Sequence, residues 1–256
     1  MLAGRSLPVR ALRKSMSAAH RVLSPNELDP TAAGRCALAI MTKAPRAGRV
    51  KTRLTPPLTP EEAAALNICF LRDTAAAIAG AGENARGIGC YTPVGEEEAY
   101  RDIFPADFQL IPQREGDFGE RLIHATEDLF SVGFGAVCLI DSDSPTVPAS
   151  VFAEAVEILF QPNDKVVLGP SDDGGYFLIG MKQLHRELFE KIDWSTERVL
   201  EQTQQQAAKA GLDVHLLPSS FDVDDEASFR RLQVELRPPN ESLAPASAEF
   251  LRQFAS

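Results

Sequence analysis

CALAIMTKAPRAGRVKTRLTPPLTPEEAAALNICF, residues 36–70, reads as a strand, a charged loop and a helix start in that order. CALAIMT (36–42) is a short apolar run of β-like composition. Thr59-Pro60-Glu61-Glu62 opens the helix: Thr59 can cap it, Pro60 suits the first helical position, and Glu62 completes a capping box. Leu66, Cys69, Phe70, Ala77 and Ile78 then recur at helical spacing. Between the two, KAPRAGRVKTRLTPP (43–57) gathers Lys43, Arg46, Arg49, Lys51 and Arg53 without one carboxylate, in a chain whose formal charge is -10.

The same alternation continues outward. ARGIGCYT (85–92), FQLIP (108–112), AVCLID (136–141), KVVLGP (165–170), YFLIG (176–180) and DVHLLP (213–218) read as strands. Helical runs fall at 119–132, at 148–160, from a Ser195 cap to about Lys209, and from near Asp225. Strands interleaved with helices predict an α/β fold with a mostly parallel sheet covered on both faces. The region 36–236 shows no internal repeat or linker and is expected to form one domain. Residues 1–35 are expected to be a disordered basic extension, and 237–256, beginning at Pro238-Pro239-Asn240, a tail.

Composition restricts the functional classes. An acidic chain with a local basic cluster suits a small anion better than a nucleic acid, whose phosphate backbone asks for spread Lys and Arg. No apolar run approaches the roughly 20 residues needed to span a bilayer. Cys36, Cys69, Cys90 and Cys138 are far apart and read as buried free thiols of a reducing compartment, which predicts a cytoplasmic protein. His20, His124, His185 and His215 show no metal-ligand spacing. The first residues, with Arg5, Arg10, Arg13, Lys14 and Arg21 and no acid before Glu27, have the composition of an organelle transit peptide or of an extension ahead of a start at Met16.

In open α/β sheets, ligands collect outside the carboxyl ends of the strands. Four polar segments fall there: the basic loop, IDSDSP (140–145), GPSDDGGY (169–176) and FDVDD (221–225). Walker spacing fails in the basic loop, because Val50 and Pro45 stand where glycines would be required. Gly48 still allows close phosphate approach, and Lys43, Arg46, Arg49, Lys51 and Arg53 can neutralise phosphate charge; the alternative is a solvated or partner-docking patch. Lys51→Ala and Arg53→Ala are therefore expected to weaken nucleotide binding with little effect on folding. Asp141 and Asp143 lie two apart in an extended segment and face the same way, as two protein ligands of magnesium would, or else they cap the next helix. Asp222, Asp224 and Asp225 form a second acidic group, one of which is expected to be a helix cap. In SDDGG, Asp173 with Gly174 and Gly175 forms either a tight hairpin turn or a ligand contact in which Asp173 serves as hydroxyl ligand or base. Trp194, the only tryptophan, either stacks on a ligand or anchors a helix start.

Taken in order, MTKAPRAGRVKTRL, IDSDSP, GPSDDGGYFLIG, WSTERVL and FDVDDEASF resemble the DUF2064 family of glycosyltransferase candidates, a branch of the nucleotide-diphospho-sugar transferase (GT-A-like) superfamily. The resemblance spans about residues 36–232. Asp143 matches the usual acid of the first acidic motif, whereas Asp141 departs from it. Asp222 and Asp224 match the second, where Asp225-Glu226 replaces Thr-Pro.

The resemblance implies a single Rossmann-like GT-A-type domain and a metal-dependent transferase. Asp143 and Asp224 would hold magnesium or manganese. Lys43, Arg46, Gly48, Lys51 and Arg53 would bind the nucleotide phosphates, with Asp143, Asp173 and Lys51 in catalytic roles. Asp173, Gly174, Gly175, Tyr176 and Trp194 would meet the substrate. Glycosyl transfer from a nucleotide sugar to a small acceptor is the leading expectation. Nucleotidyl transfer from a nucleoside triphosphate is the alternative, and a non-catalytic nucleotide-binding module a second one.

Overall fold

The computed structural model describes residues 19–254. Eight strands, β1 (Arg21–Val22), β2 (Cys36–Lys43), β3 (Ala85–Thr92), β4 (Gln109–Pro112), β5 (Ala136–Ile140), β6 (Lys165–Pro170), β7 (Tyr176–Met181) and β8 (Asp213–Leu216), form one sheet in the order β1-β4-β3-β2-β5-β7-β6-β8. Only β7 among them runs against its neighbours. Six α-helices accompany it: α1 (Pro60–Ala79), α2 (Phe118–Val132), α3 (Ala149–Leu159), α4 (Val199–Lys209), α5 (Glu226–Glu235) and α6 (Pro245–Phe254). The predicted α/β class is observed.

The period of two along each strand builds two cores. Cys36, Leu38 and Ile40 pack on one face with Leu71, Ile78, Phe152 and Leu159 of α1 and α3. Ala37 and Ala39 point the other way, onto Leu122, Leu129 and Val132 of α2 and Ala207 of α4. A third cluster joins Leu54 of the basic loop to Leu66 and Phe70 of α1, Phe229 and Leu232 of α5, and Ala248 of α6. Leu54 thus pins the loop between helices and fixes where its cations lie. The α1 start is the expected one: Thr59 accepts from the Glu62 backbone, and Glu62 accepts from that of Thr59.

Three features differ from expectation. First, residues 19–35 are packed: β1 pairs with β4, and Leu23 and Ala32 are buried. Burial alone would raise the pKa of Asp29, but hydrogen bonds from Thr31 and Gln109 and the charge of Arg21 outweigh it and hold it at about 2. The earlier part of the expected extension, Met16 included, lies outside the described residues.

Second, the tail from 237 includes α6. The Asp73 carboxylate of α1 takes hydrogen bonds from the Ala246 and Ser247 backbones and the Ser247 hydroxyl at 2.8, 2.8 and 2.6 Å, which satisfies the first turn of α6.

Third, α4 begins at Val199, and Ser195 stands before it with φ 64 rather than capping it. The Leu200 backbone instead donates to Gly174 in the β6–β7 turn, which ties the helix start to that hairpin. All four cysteines are free; Cys36 and Cys138 lie on adjacent strands with their sulfurs 3.8 Å apart. No helix among the described residues is long and apolar enough to cross a membrane.

Candidate active site

The strand order reverses between β2 and β5, since β2 continues outward to β3 and β5 outward to β7. Such a switch point opens a crevice at the carboxyl ends of the strands. The loops after β2, β5, β6 and β8 meet above it. Their junction is stitched by main chain as well as side chain: Val223 donates to the Asp143 carbonyl at 2.9 Å, and Asp172 donates to the Ser220 carbonyl at 3.0 Å.

Lys51 sits at the centre. Its ammonium donates to Asp143 Oδ1, Asp224 Oδ1 and the Val223 carbonyl, each at 2.8 Å. The side chain is only 3% exposed and lies over the Phe70 ring at 5.5 Å. Lys51 adopts a left-handed backbone, φ 48, which costs a non-glycine residue about 1–2 kcal/mol and here turns the ammonium inward. Burial opposes the charge, but Asp143 and Asp224 outweigh it and hold the Lys51 pKa above its ordinary value.

The remaining acids crowd the same rim. Asp141 accepts from the Ser144 hydroxyl at 2.8 Å and the Asp143 backbone at 3.3 Å. Burial, then the neighbouring Asp143 charge, pushes it up to about 8. Burial followed by the charges of Asp173 and Asp224 also raises Asp222, which accepts from the Ser171 hydroxyl at 3.3 Å. Asp225 faces away and caps α5, accepting from the Ser228 backbone at 2.9 Å. It is the helix cap anticipated within the acidic group.

Two cavities meet at Asp143 and Asp224. The smaller, 190 Å³, is lined by Lys43, Arg49, Lys51 and Asn67 together with Ser142 and the two acids. The larger, 470 Å³, carries Asp141, Asp173, Gly175, Tyr176, Trp194 and Asp222 beyond that pair, with Arg53 at its edge. The cationic and acidic sides of the crevice are therefore separate spaces with a shared wall.

Most of the anticipated residues come together here, and some do not. Lys43, Lys51, Arg53, Asp143 and Asp224 lie at the junction or on its two cavities. Arg53 is 71% exposed and 3.6 Å from Asp224. Arg46 instead pairs with Glu96, and Gly48 is an exposed turn glycine at φ 70; neither lines either of these two cavities.

Gly174 has another reason to be glycine. At φ 89, a Cβ there would stand 2.2 Å from the Glu197 carbonyl, so the close approach is to the segment before α4. Asp173 accepts from the Gly175 backbone at 2.8 Å and lies on the larger cavity, so the stretch is a hairpin turn that also presents a carboxylate. Trp194 both lines that cavity and packs edge-on to Phe118 at 5.0 Å.

Asn67 and Phe118 escaped the sequence reading. Asn67 is buried, and its Oδ1 has no hydrogen-bond partner among the described residues. A polar residue on the apolar stripe of α1, between Leu66 and Phe70, was the available signal. Phe118 left none beyond its place at the start of α2.

No group of three or more His, Cys, Asp or Glu among the described residues is placed to hold a metal by itself. Asp143 and Asp224 nevertheless converge on one cation, the Lys51 ammonium, with partly exposed oxygens. Two carboxylates suit magnesium or manganese, which complete their shells with phosphate oxygens and water.

Residues 74–196 match the model of a family described as an uncharacterized protein conserved in bacteria, DUF2064. The chain resembles the DUF2064 family. The matched interval contains IDSDSP and GPSDDGGYFLIG; the basic loop and FDVDD lie outside it.

Among solved structures, a candidate nucleotide-diphospho-sugar transferase from Desulfovibrio desulfuricans G20 is similar at 28% identity and TM-score 0.74, over 87% of this chain and 98% of that one. CMP:2-keto-3-deoxy-manno-octonic acid synthetase complexed with CTP is 11% identical over 77% of this chain and 96% of its own, with TM-score 0.49. A nucleotidyl transferase from Methanothermobacter thermautotroptrophicus is 14% identical over 85% of this chain and 98% of its own, also at TM-score 0.49. No curated protein sequence matches the chain. The DUF2064-like chain has the GT-A-type fold that the resemblance implied.

Proposed function

We propose that the protein is a metal-dependent glycosyltransferase that moves a sugar from a nucleotide diphosphate sugar to a small acceptor. The observation that carries this reading is the Lys51 ammonium held by Asp143 and Asp224 where a cationic and an acidic cavity meet. The likeness to a candidate nucleotide-diphospho-sugar transferase supports the donor class.

In this reading the diphosphate occupies the smaller cavity, where Lys43, Arg49 and Lys51 offset its charge. Asp143 and Asp224 would hold magnesium or manganese against the diphosphate, supplying Lewis-acid stabilisation of the leaving group. Asp173 faces the larger cavity and accepts the acceptor's hydroxyl proton. The acceptor oxygen forms the new bond to the anomeric carbon. The bond from that carbon to the phosphate oxygen breaks, and its electron pair leaves with the nucleotide diphosphate. Asn67 Oδ1, lacking a protein partner, offers an acceptor to a donor group of the bound nucleotide.

Nucleotidyl transfer draws on the same cations, which would then assist departure of pyrophosphate. The two are separated by product. Incubation with magnesium and a panel of nucleotide sugars and nucleoside triphosphates is expected to give nucleoside diphosphate from a sugar donor. Pyrophosphate from a triphosphate, with no turnover of any sugar donor, would replace glycosyl by nucleotidyl transfer.

A further inference from the structure

The larger cavity is chemically two-sided. One side is apolar: Met41, Phe118, Leu122, Leu139, Ile179 and Trp194 line it. Phe118 is 47% exposed although it is a large aromatic, and its ring meets Trp194 edge to face. Arg121 lies over the Phe118 ring at 5.6 Å. Such an aromatic pair on a cavity wall offers flat contact area to a ring or hydrocarbon body.

The other side carries Asp141, Asp143, Asp173, Glu197, Asp222 and Asp224. The cations facing them are Arg53, at the edge, and Lys51, committed to Asp143 and Asp224. The Asp173 and Glu197 carboxylates, with no cation against them among the described residues, repel a second anion, whereas a hydroxyl or ammonium group finds acceptors in them. Lys43, Arg49 and Lys51 line the smaller cavity on the far side of the Asp143–Asp224 wall, so the counter-charge left for a phosphorylated acceptor here is Arg53, which already lies 3.6 Å from Asp224.

We infer that this cavity selects an acceptor with an apolar, ring-sized body and a neutral or cationic polar end, and rejects phosphorylated or carboxylated acceptors. The inference rests on the transferase reading above and narrows its second substrate. The body lies against Phe118 and Trp194, and the nucleophilic end points to Asp173.

Trp194 is the only tryptophan of the chain, so its fluorescence reports this cavity alone. Three probes that share one ring, 2-phenylethanol, 2-phenylethylamine and 2-phenylethyl phosphate, are titrated into the full chain with magnesium while Trp194 emission is followed. The alcohol and the amine are expected to perturb the emission saturably, with the phosphate at least tenfold weaker. Phe118→Ala is expected to weaken the first two about fivefold or more, and Glu197→Gln to narrow the gap to the phosphate. Circular dichroism of both variants confirms that they fold.

Equal or tighter binding of the phosphate would overturn the inference. Stabilisation by nucleotides, measured in parallel by thermal shift, tests the underlying reading separately. Nucleotide stabilisation with no Trp194 response to the alcohol or amine sinks the acceptor class alone. Absence of any nucleotide stabilisation removes the transferase reading, and the acceptor assignment with it.

Discussion

Lys51 shows how one side chain ties folding to function. From the sequence, Lys51 is expected to bind phosphate and to serve in catalysis, and its loss to have little effect on folding. The structure places its ammonium between two carboxylates, so Lys51→Ala leaves Asp143 without its cation and Asp224 with only the exposed Arg53 at 3.6 Å. Both acids keep partial solvent contact, 29% and 42%, which limits the penalty to about 1–3 kcal/mol rather than that of a fully buried pair. A lower melting temperature is therefore expected, and magnesium should recover more of it in the variant than in the wild type, because a divalent ion can take the vacated place. Equal magnesium effects in the two proteins would argue against a shared cation position. The cluster of cations was legible in the sequence. Which of them turns inward was not, because that depends on a left-handed φ at Lys51 and on acids 92 and 173 residues away (143 − 51 and 224 − 51).

At the scale of elements, the β6–β7 hairpin carries the clearest local requirement. Gly174→Ala forces a Cβ against the Glu197 carbonyl at a backbone angle that alanine disfavours, and is expected to destabilise by about 2–3 kcal/mol. Gly48→Ala, also at positive φ but with nothing within 4 Å, should cost only about 1 kcal/mol. Urea unfolding of the two variants measures the contrast; similar losses would show that backbone angle rather than contact dominates. The turn itself was readable, because Asp-Asp-Gly-Gly between two apolar runs signals a reversal. The late start of α4 was not. Ser195 looks like a cap, and only the packing of Trp194 against Phe118 and of Leu200 against Gly174 displaces the helix by a few residues. The α6 segment was likewise hidden, since its first turn is satisfied by Asp73 of α1, far away in sequence.

For the whole molecule, the sheet order places the functional loops and the edges complete the core. The alternation of apolar strands and capped helices was enough to predict an α/β fold. The reversal of β7 was not distinguishable, because a buried strand reads as the same apolar run in either direction. The β1 edge was obscured by basic residues, although Asp29 ties it to β4 through Gln109. Asp29 has its pKa depressed in the folded state, so its stabilisation is present above the unfolded value near 3.9 and is lost as pH falls through about 2. Asp29→Asn should cost about 2 kcal/mol at pH 7, and its difference from wild type should shrink between pH 4 and pH 2 in urea unfolding. A difference independent of pH would mean that the carboxylate charge is not what holds this edge.

Nucleotide binding through its phosphates at the wall between the two cavities is decided by thermal shift of wild type and Asp224→Asn with magnesium and a panel of nucleotide sugars and nucleoside triphosphates. At least one nucleotide is expected to raise the melting temperature of the wild type in a magnesium-dependent way, and Asp224→Asn is expected to lose most of that rise while remaining folded. Stabilisation undiminished in Asp224→Asn, or no stabilisation of the wild type by any nucleotide, would contradict it.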